Sequence, residues 1–167
     1  MKLDRREAIR QRIETGSAYL RAGRCRSTKL EDFGPSVTVL NILAFEVLLK
    51  ALVLAEEKDN GFGHKYYEDW CKLDEGTRTK LVDTATTRFP GHSDFRNPET
   101  LMTAWKHAFL KYRYSYEENE ARSLEEIKQV GREWNGSNET ADFVFYPLEL
   151  EALTQAIEAE LKLYVSG

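Results

Sequence analysis

Glu46 and Lys50 are the only charged residues between Ser36 and Ala55. They stand four apart, a spacing that places both on one face of a helix. Such a face either meets solvent at a gap in the fold or holds a partly buried ion pair lining a groove, because an unpaired buried charge is costly. A second chemically dense stretch is Tyr112-Arg113-Tyr114-Ser115-Tyr116-Glu117. An arginine among tyrosine faces is suited to holding a phosphate and stacking a base. The plainer account is an amphipathic helix with an exposed Arg113–Glu117 pair, which adds little stability. The basic residues Arg21, Arg24, Arg26 and Lys29 lie at a helix C-terminus, where cations complement the dipole without any partner.

Known catalytic and cofactor motifs do not occur. Gly61-Phe62-Gly63 starts like a dinucleotide-binding turn, but Tyr66 stands at the last glycine position and no βαβ context surrounds it. GxxxxGK[ST], GxSxG and HExxH are absent. His64, His92 and His107 lack metal-ligand spacing, and Cys25 and Cys71 form no CxxC. No metal, cofactor or catalytic set is therefore expected from local motifs.

The elements that must position these residues read as helical almost throughout. Residues 4–22 carry Ile9, Ile13, Gly16 and Leu20 on one stripe. Residues 24–35 read as a connection ending in Gly34-Pro35. From Ser36 to about Glu57 the chain is apolar nearly all round, which predicts a central helix surrounded by others. The run Lys58 to Gly63 ends it, with Gly61 and Gly63 suited to a positive φ. Shorter helices are predicted over 64–73 and 77–89, followed by a loop to Pro98. Pro98 opens a helix with Leu101, Trp105, Ala108, Tyr112 and Tyr116 on its buried stripe. Ser123 and Glu126 fit a capping box for a helix to about Trp134. Residues 135–140 read as a loop and 142–146 as an extended lead-in. Pro147 then opens a last helix buried through Leu150, Leu153, Ile157, Leu161 and Tyr164.

The expected fold is therefore all-α: one domain over 1–167, an up-and-down bundle of four to five main helices with short connecting ones. The 167 residues hold 24 Lys+Arg against 28 Asp+Glu, a formal net charge of −4, which excludes a broadly basic nucleic-acid binder but not a local basic groove. With 41% apolar residues, ten Gly and four Pro, disordered and collagen-like classes are excluded as well. No apolar run follows the N-terminal charges, and Glu46 and Lys50 interrupt the longest uncharged stretch. A cytoplasmic protein without a membrane span, with Cys25 and Cys71 as free thiols, is the expectation.

The order of features carries a further reading. The helix NILAFEVLLKALVL, with Asn41, Glu46 and Lys50, is followed by Gly63-His64-Lys65 and later by Arg113-Tyr114. This order resembles the HEPN superfamily, whose members show E-x-x-L-K-A, then G-H-[DK]-L, then a distal R-Y. The resemblance spans most of residues 36–118, and the final helix fits the same bundle. It implies a helical bundle, often a homodimer, found in prokaryotic toxin–antitoxin, defence or stress systems and sometimes paired with a nucleotidyltransferase. Ribonuclease members carry an Arg, four to six residues, then a His. Counting from Arg113, those positions hold Glu118, Asn119 and Glu120. Without an imidazole there, the usual acid/base group for metal-independent RNA cleavage is missing.

The leading expectation is thus a non-catalytic HEPN-like module that binds a nucleotide, RNA or partner protein. Its candidate groove residues are Glu46, Lys50, His64, Lys65, Arg113, Tyr114 and Glu117. A divergent ribonuclease using His64 or His107 with Arg113 is the second reading. A purely structural dimerisation protein is the third.

Overall fold

The computed structural model describes residues 4–26, 35–59, 62–88, 90, 94–113, 123, 125–126 and 145–166. Among them it is all-α, with no strand. Six helices are given bounds among the described residues: α1 (Arg5–Arg26), α2 (Pro35–Ala55), α3 (Tyr66–Lys72), α4 (Glu75–Arg88), α5 (Pro98–Arg113) and α6 (Pro147–Ser166). Proline opens α2, α5 and α6, where its missing N–H would have no intrahelical partner anyway. Asn97 supports the start of α5, its Oδ1 accepting from the Thr100 N–H at 3.1 Å.

As its all-round apolarity requires, α2 lies at the centre, packed against α1, α3, α5 and α6. Ile42, Phe45, Leu48 and Val53 are fully buried along it. It is also long and apolar enough, by composition, to cross a membrane, despite Glu46 and Lys50. Here those apolar sides face neighbouring helices, which gives them the water-free environment a bilayer would otherwise supply. Its tightest neighbour is α1. A Cβ on Gly16 would lie 2.6 Å from Leu48 Cγ, and one on Gly23 would lie 2.8 Å from Asn41 Oδ1. These two glycines let the α1 backbone approach α2 more closely than any larger residue would.

The end of α2 differs from the sequence expectation. The positive φ that closes the helix falls on Glu57, at 62°, while Gly61 lies outside the described residues. The Glu57 N–H donates to the Leu54 carbonyl at 3.1 Å, and the Lys58 N–H to that of Val53 at 3.0 Å. This pair of bonds is a Schellman closure with glutamate in the left-handed position usually taken by glycine. A Cβ there costs about 1–2 kcal/mol, and the exposed Glu57–Arg5 pair returns only part of it. Glu57→Gly is therefore expected to stabilise the protein by about 1 kcal/mol, raising Tm by roughly 2–4 °C. A lower Tm would show that the Arg5 pair outweighs the backbone strain.

Other boundaries shift modestly. Arg24–Arg26 continue α1 instead of starting the connection. In α6, Leu150, Leu153, Ile157 and Leu161 are buried, but Tyr164 is exposed and Val165 packs on the core instead. Position 165 is four residues past Leu161, so it stays closer to the α6 stripe as the helix turns. The capping box is present: the Glu126 N–H donates to Ser123 Oγ, and Glu126 Oε2 accepts from the Ser123 N–H at 2.6 Å. The rest of that predicted helix, the 135–140 loop, Tyr116 and most of the 142–146 lead-in lie outside the described residues.

Candidate functional site

Glu46 sits in the middle of α2 and is buried. One turn on, Lys50 donates from Nζ to its Oε1 at 2.7 Å. Of the two alternatives left open by the spacing, this is the partly buried pair: the side chains are 11% and 16% exposed. Lys50 Nζ also donates to the Gly63 carbonyl at 2.7 Å, tying the loop before α3 back onto α2. Gly63 adopts φ 86° with open space around its absent Cβ, so glycine is needed here for backbone conformation and not for room.

This turn brings in two more groups. His64 Nδ1 lies 2.6 Å from Glu46 Oε2, and the Tyr66 hydroxyl donates to the same oxygen at 3.1 Å. A carboxylate only accepts, so the His64 contact puts the proton on Nδ1 and leaves Nε2 as the outer nitrogen of the ring. Among the described residues Nε2 makes no hydrogen bond. Burial and the negative Glu46 push the Tyr66 phenol well above its ordinary value, keeping it a neutral donor. The four side chains thus form a network in which one carboxylate takes hydrogen bonds from an ammonium, an imidazole and a phenol.

An aromatic layer supports the network from below. Phe45 meets Tyr66 edge-on at 5.8 Å between centroids and Trp105 at 4.9 Å. The His64 ring lies 4.4 Å from that of Phe109 on α5, and the Arg113 guanidinium lies 5.7 Å from the same Phe109 ring. His64 and Arg113, from different elements, therefore share one aromatic neighbour. On the α1 side of Lys50, a groove of about 420 Å³ is lined by Ala8, Gln11, Arg12, Thr15, Val47 and Lys50. Arg12 donates to the Lys50 carbonyl at 3.2 Å, and partial burial lowers its own pKa from the ordinary guanidinium value. Lys50 is thus common to the groove and the network.

Of the residues singled out by sequence, Glu46, Lys50 and His64 converge directly, and Arg113 joins them through Phe109. Lys65 does not: it is exposed and pairs with Glu68 on α3 at 3.0 Å. The reason is the alternation of directions in the turn, which sends His64 toward Glu46 and its neighbour Lys65 outward. Tyr114 and Glu117 lie outside the described residues. His107 is exposed on α5. Sequence reading missed Tyr66 and Phe109. Tyr66 carried a usable signal, since a tyrosine beside a turn and a buried helix needs a partner for its hydroxyl. Phe109 stands four residues past Trp105, so helical spacing alone placed it near the buried stripe.

The residues present offer hydrogen-bond donors, a carboxylate acceptor and an imidazole. Among the described residues no cluster of three His, Cys, Asp or Glu side chains forms a metal site. Cys71 is an exposed free thiol. No family model matches the chain, and no curated protein or solved structure is significantly similar to it.

Proposed function

We propose that this chain is a HEPN-like helical module of the cytoplasm that binds the phosphate of a nucleotide or RNA beside His64 and Arg113. The observation that carries this reading is the shared Phe109 ring, which has an imidazole 4.4 Å and a guanidinium 5.7 Å from its centroid, contributed by separate elements. Arginine presents fork-like donors suited to phosphate oxygens. Glu46 sets the imidazole's orientation, and Lys50 holds the Gly63 turn, so the His64 side is preorganised.

Titration of the purified protein with ATP, GTP and a short mixed RNA, followed by intrinsic Trp/Tyr fluorescence, tests the reading. Arg113→Ala is expected to weaken binding about tenfold or more, because a charged hydrogen bond is lost. Arg113 is exposed, so the melting temperature should hold. Unchanged affinity in the folded variant removes Arg113 from the site.

One observation favours a second reading, a divergent metal-independent ribonuclease. The Glu46–His64 contact is the arrangement that orients an imidazole as a general base through its outer nitrogen. In that case Nε2 would take the proton of a ribose 2′-hydroxyl while Arg113 neutralised the phosphate. RNA left intact after prolonged incubation with the protein rejects this second reading and leaves the first standing.

A further inference from the structure

Phe62 is 99% exposed, the most exposed large apolar side chain among the described residues. Leaving a phenylalanine in water forfeits the gain of burying it. Its position is not that of a frayed end. The next residue, Gly63, is bonded through its carbonyl to Lys50, and the one after, His64, is bonded to buried Glu46. The backbone carrying Phe62 is therefore anchored at both of the following residues. The left-handed conformation of Gly63 lets the chain reverse there, so that Phe62 faces water while His64 faces Glu46. Only Gly63 separates Phe62 from His64, which keeps their Cα atoms within about 7 Å.

A cation stands close by in the chain. Lys65 follows on the exposed side, held by a surface pair with Glu68 that a stronger anion would displace at little cost. An exposed aromatic platform beside donors for phosphate is the combination that binds single-stranded nucleic acid, the ring stacking on a base and the cations tracking the backbone.

We infer that Phe62 is a stacking platform for the nucleobase of a nucleoside phosphate whose phosphate lies toward His64 and Arg113, with Lys65 as an outer phosphate contact. This rests on the phosphate-binding reading above and adds the base to it. The shared chemistry is a base linked to a phosphate, and either a free nucleotide or a single-stranded RNA supplies it.

Binding of a fluorescent hexa-adenylate RNA, of ATP and of base-free tripolyphosphate is measured on wild type, Phe62→Ala, Phe62→Trp and Arg113→Ala. Phe62→Ala should weaken the base-containing ligands about tenfold, the loss expected for one stacked base. Phe62→Trp should retain them, and tripolyphosphate should be indifferent to both. Arg113→Ala should weaken all three ligands. Loss confined to RNA identifies the strand as the ligand, whereas an equal loss for ATP identifies the nucleotide. Unchanged RNA and ATP binding in Phe62→Ala overturns the platform while the Arg113 response keeps the phosphate site. Wild-type protein that binds none of the three overturns both. A switch from dimer to monomer in Phe62→Ala, with RNA binding intact, overturns the platform in favour of a chain–chain contact.

Discussion

Replacing Glu46 by alanine is expected to lower the unfolding free energy by about 3–5 kcal/mol, because it strips the partner from a buried ion pair. Three donors lose their acceptor at once: Lys50, His64 and the Tyr66 hydroxyl. Lys50 is only 16% exposed, so water replaces the carboxylate poorly. For a chain of this size the change corresponds to a Tm lower by roughly 6–20 °C. Glu46→Gln should restore only part of the loss, since one carbonyl oxygen faces three donors and the amide adds a donor of its own. Urea unfolding of both variants measures this directly. A loss below about 1 kcal/mol for the alanine variant would mean that the network behaves like a solvated surface pair, and the preorganisation assigned to His64 would go with it.

Trp105→Ala should cost a similar amount, about 3–5 kcal/mol, by a different route. Trp105 is 0% exposed on α5 and packs edge-on against Phe45 of α2. Its Nε1–H donates to the Tyr146 carbonyl at 3.2 Å, tying α5 to the start of α6. Removing the indole opens a cavity where α2, α5 and the entry to α6 meet. Trp105→Phe separates the two contributions: it keeps most of the ring contact but removes the bond to the Tyr146 carbonyl, which still accepts from the Leu150 N–H, for an expected loss of about 0.5–1.5 kcal/mol. Equal losses in the two variants would assign the effect to the hydrogen bond alone. The alanine change also reaches the candidate site, since Phe45 is the layer on which Tyr66 rests. Ligand affinity should therefore fall in Trp105→Ala even at temperatures where the protein remains folded.

Part of the network is legible in the amino-acid sequence. The four-residue spacing of Glu46 and Lys50 on an apolar helix dictates that they share a face, and their 2.7 Å contact follows from it. The separation of 18 residues between Glu46 and His64 dictates nothing of the kind. Their meeting depends on where the chain returns after α2, which a left-handed Gly63 and the Lys50–Gly63 bond decide together. The order of motifs in the sequence puts His64 and Arg113 among the same candidate residues, but their common neighbour Phe109 belongs to neither motif. Lys65 shows the converse: adjacent to His64 in sequence, it points to Glu68 instead.

Sequence by itself determined the all-α class and the central place of α2, because an all-round apolar helix has no stable position except among other helices. It also determined the proline-led starts of α5 and α6, since proline lacks the N–H that a helix interior requires, whereas Pro35, read as the end of a connection, opens α2. Only the tertiary structure decided which faces meet. Periodicity assigns side chains to a face of their own helix, whereas the pairing of faces is settled by close packing, such as the fit of Gly16 against Leu48. The tertiary structure also shows glutamate, at Glu57, in a turn that glycine would take more cheaply, and Phe62 in water beside the anchored His64.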